Sequence, residues 1–267
     1  MRPPIFLGGA PRSGLTLLRA MLDSHPAIAC GPDLTLVAGL ARQYGEVAET
    51  IGTNLAANYD LPQPAVQSHY RRLIDRLLSA LPLSRDKVRA AEKSGANILF
   101  FRQLHELFPE SPLIHVVRDG RDVAASMRGR GWTGSDGRPL PATRDLRQGA
   151  ALWAAMAKAG RAAGATCGPR YTEVHYEDLV TRPEQTLREL CRFIGEQWDD
   201  SMLDFHRRPL TLLGTEADST ALREPLSPRF VGRWRRTLSR EDAQALDSLL
   251  APVLEAFGYK EPKRHIA

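Results

Sequence analysis

An α/β fold with a central, mostly parallel sheet flanked by helices is what this sequence predicts, on three observations. Short apolar runs at 5–7 and 113–117 read as buried strands, and 171–175 as a third strand. Between and after them, apolar residues recur every three or four positions, the spacing of amphipathic helices. No repeat, low-complexity linker or shift in composition divides the chain, so residues 1–267 read as one domain. Strands alternating with helices imply a parallel sheet covered on both sides.

The elements follow in order. The 5–7 strand ends at Gly8-Gly9, and Leu15, Leu18, Met21 and Leu22 then share one helical face until His25-Pro26 stops it. A second helix begins after Asp33. Pro62 and Pro64 mark a break before a helix with Val66, Tyr70, Leu73, Ile74, Leu77, Leu78 and Leu81 along its apolar stripe. The β-branched strand 113–117 leads into a helix at 120–127, and the Gly/Pro-rich stretch 129–141 is a loop. Residues 144–164 read as a long helix with Trp153 inward. After strand 171–175, Pro183 sits in the first turn of a helix that buries Leu187, Leu190, Cys191 and Ile194. Residues 207–238 show weak periodicity and read mostly as loop. Ser239 with Asp242 resembles a capping box for the last helix, whose stripe is Leu246, Leu249, Leu250, Val253, Leu254 and Phe257, closed by Gly258.

Composition narrows the function. The 267 residues are 43% hydrophobic and 25% charged, which excludes a disordered or fibrous chain. A net charge of +5 suits an anionic ligand without implying nucleic acid. Cys30, Cys167 and Cys191 are too scattered for a disulfide framework or a zinc site, and they suggest a reducing compartment. No apolar run approaches the roughly eighteen residues of a membrane span, and the N-terminus does not read as a signal peptide. A cytoplasmic protein with no metal is the expectation.

Two segments carry chemistry. Gly9-Ala10-Pro11-Arg12-Ser13-Gly14-Leu15-Thr16 lies between a strand and a helix. There, helix N–H groups and the dipole attract an anion, Arg12 adds a planar fork, and Ser13 and Thr16 add hydroxyls. The loop lacks the Gly-Lys pair of a nucleoside triphosphatase. The second segment places Arg118 at a strand's carboxyl end, with Ser126 about two helical turns on. The plain alternatives are an ordinary turn with a surface arginine and a structural Arg–Asp pair.

Together these segments resemble the sulfotransferases that use 3′-phosphoadenosine 5′-phosphosulfate (PAPS), and the likeness is nearest to the tyrosylprotein sulfotransferases. It rests on Pro11-Arg12-Ser13-Gly14, on residues 18–26, on Glu92-Lys93, Leu107-Phe108-Pro109, the Arg118 to Ser126 segment, Tyr176-Glu177-Asp178-Leu179-Val180 and Gly232-Arg233-Trp234. The resemblance implies a P-loop-like sulfotransferase fold. It implies transfer of a sulfuryl group from PAPS to a hydroxyl, foremost of a tyrosine or other phenol in a peptide, a protein or a small molecule. Adenosine 3′,5′-bisphosphate would be the product. A carbohydrate or natural-product hydroxyl is the alternative acceptor, and a non-catalytic nucleotide-fold binder the rival of another class. No nucleic acid or membrane partner is implied, and a homodimer is left open.

The resemblance also assigns positions. Arg12, Ser13, Gly14, Leu15, Thr16 and Leu17 would hold the phosphosulfate, while Arg118 and Ser126 would hold the 3′-phosphate at the opposite end of the nucleotide. Tyr176, Arg229, Gly232 and Arg233 would complete the nucleotide site. Lys93 and Arg12 would supply charge to the sulfate and leaving phosphate, and Ser219 would lie near that phosphate. Two roles compete for Asp33: base for the acceptor proton, or N-cap of the following helix. Lys93 could equally be a solvated partner of Glu92, and Tyr176 a core residue. The six arginines from Arg223 to Arg240 could form a solvated stripe instead. Leu15 replaces a hydroxyl residue common in the family, and Thr35 and Gly39 stand where the tyrosylprotein enzymes carry arginines for acidic peptides.

Overall fold

The computed structural model describes residues 2–81, 87–134, 136–207 and 222–259. The chain begins β1 (Ile5–Gly8), α1 (Leu15–Ser24), β2 (Ile28–Cys30), α2 (Thr35–Glu46), α3 (Gly52–Tyr59) and α4 (Gln63–Ser79). It continues β3 (Arg89–Lys93), α5 (Phe101–Leu107), β4 (Leu113–Val117), α6 (Gly120–Met127), α7 (Pro141–Arg144) and α8 (Leu146–Cys167). It then forms β5 (Tyr171–His175), α9 (Tyr176–Thr181), α10 (Pro183–Ile194), α11 (Trp234–Thr237) and α12 (Arg240–Ala256).

The strands form one sheet in the order β2-β3-β1-β4-β5, and every neighbouring pair is parallel. Alternation along β1 divides the core. Phe6 packs on the side of α2, α4, α5, α8 and α12. Ile5 and Leu7 pack on the other side with α1 and α10. The chain passes from β1 to β3 on one side and β4 on the other, so a crevice opens at the carboxyl ends of the central strands.

β2 and β3 were not foreseen. β2 has only three residues. β3 reads Arg-Ala-Ala-Glu-Lys, with no apolar run, yet all five residues are buried. The core accepts its charges because each finds a partner. Arg89 donates to Glu196 Oε1 (2.9 Å) and to the Pro3 carbonyl (2.9 Å). Asn97 Nδ2 donates to Glu92, whose carboxyl burial pushes up to about 8.

Several boundaries also moved. The long helix starts at Leu146, capped by the Asp145 carboxylate on the Gln148 N–H (2.9 Å), and runs on to Cys167. The expected Ser239 cap is present, its hydroxyl accepting from the Asp242 N–H at 3.0 Å. Leu249 and Leu73 face outward, because α12 and α4 bury narrower stripes than their sequences suggest. His25 ends α1 and is buried, its ring bonded to the Gln197 carbonyl (2.8 Å) and the Ala27 N–H (3.1 Å).

Candidate active site

The loop after β1 turns on two left-handed residues, Arg12 (φ 71°) and Gly14 (φ 100°). A Cβ on Gly14 would lie 2.6 Å from the Tyr176 ring, so glycine is required there on both backbone and packing grounds. α1 starts directly afterwards, and the N–H groups of its first turn have no intrahelical partners. Gly14, Leu15, Thr16 and Leu17 line a cavity of about 800 Å³ at the carboxyl end of the sheet. Arg12, Asp33, Lys93, Arg118, Ser126, Tyr176, Arg229 and Arg233 line it too. Thr16, read from the sequence as a hydroxyl donor, stands on this wall.

Two assigned residues are not on that wall. Ser13 is fully buried, and its N–H donates to the Ala10 carbonyl at 3.2 Å. It shapes the turn from behind, and its buried hydroxyl finds no hydrogen-bond partner among the described residues. Gly232 spends its N–H on Asp122 Oδ2 at 2.7 Å. Ser219 lies outside the described residues.

The two motifs, expected at opposite ends of a ligand, meet directly. Arg12 Nε donates to Ser126 Oγ at 3.0 Å, and Arg118 Nη1 donates to the Arg12 carbonyl at 3.2 Å. The reason is reach: the left-handed turn at Arg12 sends its long side chain across the crevice to α6. Burial, with the charges of Arg130 and Arg118, lowers the Arg12 pKa to about 10. Such clustered cations favour an anion.

Arg118 is held on all sides. Its carbonyl accepts from Trp153 Nε1 at 3.0 Å, and its guanidinium lies 4.4 Å from the Tyr176 ring centre. Nη2 donates to the Phe230 carbonyl at 2.5 Å, and Asp122 Oδ2 is 3.6 Å away. Its Nε is buried and finds no hydrogen-bond partner among the described residues. The next peptide is fixed as well: Glu177 Oε1 accepts from the Asp119 N–H at 3.0 Å, and Glu177 Oε2 accepts from Tyr259 at 2.8 Å.

The competition over Asp33 is resolved in one respect. α2 begins at Thr35, its N-cap position is Leu34, and no side chain caps it. Asp33 instead pairs with Lys93, Oδ2 to Nζ at 3.4 Å. Lys93 ends β3 beside Leu7 and is almost wholly buried, so it is not a solvated surface lysine. An acid and a base thus stand together on the cavity wall.

Several wall residues escaped the sequence reading: Asp122, Arg128, Arg130, Trp132, Glu224 and Phe230. Arg130 had a signal in its spacing, four residues after Ser126, and its Nε donates to the Ser126 carbonyl at 3.2 Å. Arg128 pairs with Asp242 (3.1 Å) and Arg229 with Glu224 (2.6 Å). Asp242 comes from a distant segment, which no local pattern announces.

The residues fit an elongated anionic ligand. The helix N-terminus, the arginine cluster and the orphaned Arg118 Nε all offer donors to one cavity.

Comparison with known proteins agrees. A family model described as "Sulfotransferase family" matches residues 3–200. The chain is 28% identical over 268 residues to protein-tyrosine sulfotransferase A of Caenorhabditis elegans, covering 96% of this chain and 67% of that longer protein. Its fold superposes on the sulfotransferase domain of the Synechococcus PCC 7002 olefin synthase with a TM-score of 0.68, at 22% identity and 98% coverage of both chains. It also superposes on mouse sulfotransferase SULT7A1 in complex with PAP, with a TM-score of 0.54 at 14% identity, covering 96% of this chain and 86% of that one. With the model matching well over half of the residues, on a parallel sheet that carries both sequence motifs, this chain belongs to the sulfotransferase family.

Proposed function

We propose that this protein transfers the sulfuryl group of PAPS to a phenolic hydroxyl, with the tyrosine of a peptide or protein as the foremost acceptor. The observation that carries the reading is one cavity lined both by the Arg12–Arg118–Ser126 cluster and by the Lys93–Asp33 pair. The protein-tyrosine sulfotransferase among its relatives and the PAP bound in a neighbour of the same fold support it.

The chemistry follows from the groups present. The first turn of α1 and Arg12 hold the sulfate-bearing end by N–H donors and charge. Arg118 and Ser126 hold the 3′-phosphate, with Arg130, Arg229 and Arg233 adding positive potential. Asp33 accepts the acceptor's proton as its oxygen attacks sulfur. The bond from sulfur to the phosphate oxygen breaks, and Lys93 and Arg12 stabilise the negative charge that collects there. In-line approach supplies much of the rate, because both partners are held in one crevice.

A natural-product hydroxyl is a second reading, favoured by the start of α2. Thr35, the exposed Leu36 and Gly39 carry no charge there, and a Cβ on Gly39 would meet nothing within 4 Å. Labelled PAPS offered with tyrosine peptides, simple phenols, alcohols and sugars tests both readings. Label should pass to phenols and tyrosine peptides. Transfer to alcohols alone would favour the second reading, and no transfer at all would overturn both.

A further inference from the structure

Asp122 is a puzzle on electrostatic grounds. It is a carboxylate with a side chain only 1% exposed, on the wall of a cavity whose other charges mostly attract anions. Taken alone, its charge opposes any phosphate bound there. Its hydrogen bonds indicate why it is tolerated. Oδ2 accepts from the Gly232 N–H at 2.7 Å, and Oδ1 accepts from the Trp234 N–H at 2.8 Å. Both donors belong to the segment 227–237, which carries Arg229 and Arg233 across the cavity. Gly232, at φ 64°, supplies the left-handed turn between those two amides. Two further contacts hold the same segment. Arg118 Nη2 donates to the Phe230 carbonyl, and the Arg121 guanidinium lies 4.2 Å from the centre of the Trp234 ring.

We propose that Asp122 is a positioning residue that latches the segment 227–237 to α6, so that Arg229 and Arg233 face the phosphates of the bound donor. The proposal rests on the nucleotide reading of the cavity. It makes a sign prediction that charge alone cannot imitate. Removing a carboxylate from an anion site should tighten binding by simple Coulomb attraction, whereas releasing the latch should weaken it.

The test uses the full chain with adenosine 3′,5′-bisphosphate as the probe. Affinity is measured by titration calorimetry, and amide protection by hydrogen exchange. Asp122→Asn keeps shape but places an NH₂ group against one of the two backbone donors. Exchange at residues 228–236 should quicken at least about 10-fold, and nucleotide affinity should fall by about 10-fold, the usual worth of a charged hydrogen bond. Asp122→Glu keeps the charge and displaces it, and should show the same two changes. In an Arg229→Ala/Arg233→Ala background, Asp122→Asn should cost less than about 2-fold in affinity, because coupled residues are not additive. Unchanged or tighter binding in both Asp122 variants, or a full extra loss in the double-arginine background, overturns the latch. A wild-type chain that ignores the nucleotide overturns the donor reading instead.

Discussion

Arg12 Nε and Ser126 Oγ stand 3.0 Å apart, a bond that ties the loop after β1 to the end of α6. The two residues belong to different motifs, yet they share one spot on the cavity wall. A 3′-phosphate accepting from the Ser126 hydroxyl would bind a donor whose place is already fixed by Arg12. Ser126→Ala removes one ligand donor and the tether of Arg12 together. It should weaken adenosine 3′,5′-bisphosphate by about 10-fold, near the worth of one hydrogen bond to a charged group. AMP, which lacks the 3′-phosphate, should bind far more weakly to wild type and lose little more in the variant. Calorimetric titration of both nucleotides checks this, and equal losses would place Ser126 elsewhere in the site.

Lys93 ends a buried strand, so its charge is fixed where the leaving oxygen would become anionic. Lys93→Ala should lower turnover by about 10²-fold or more while nucleotide affinity stays within a few-fold, since the charge counts most in the transition state. Comparing single-turnover rates with nucleotide titrations separates the two effects. A loss confined to affinity would make Lys93 a binding residue only.

Asp33 caps no helix, so the cost of its replacement to stability is confined to the loss of its pair with Lys93. Asp33→Asn should melt a few degrees below wild type at most, yet lose about 10²–10⁴-fold in turnover, the usual contribution of a general base. The loss should shrink for acidic phenols such as nitrophenol, which ionise unaided. Turnover close to wild type for every acceptor would remove Asp33 from the chemistry.

Acid sensitivity has a defined source in His115. Burial pushes its imidazole down to about 4 from the ordinary 6.5. Its ring bonds the Tyr171 hydroxyl at 2.7 Å, and that hydroxyl donates to Glu173 at 2.9 Å. Between those two pKa values the unfolded chain binds more protons at this residue than the folded one. The stabilisation is therefore whole above pH 6.5 and is lost as pH falls towards 4, by about 3 kcal/mol. His115→Asn should flatten the melting temperature across that window. An unaltered pH profile would assign the acid loss to other groups.

Much of this molecule was legible before the fold was known, for reasons that differ by element. β1 and β4 announce themselves by apolar runs, and α12 by its Ser239 cap. β3 does not, because its burial depends on partners such as Glu196, which arrives from far along the chain. The anion loop was readable because a strand–turn–helix with glycines is a local pattern. The pairing of Asp33 with Lys93 was not, since it depends on where α2 starts. Ser13 was named by the same local pattern, and the tight turn buries it behind the cavity wall rather than on it.

The sheet order also dictates when the site can exist. Lys93 stands beside Leu7 only after β3 has slotted in next to β1, a pairing of Ile5 with Ala91 that closes a very long loop. Long-range parallel pairings of this kind form late in folding. A nucleotide that needs both strands in place finds no foothold on a half-folded chain. It should therefore leave the refolding rate nearly unchanged and slow unfolding instead, so the donor acts on the lifetime of the native protein rather than on its birth.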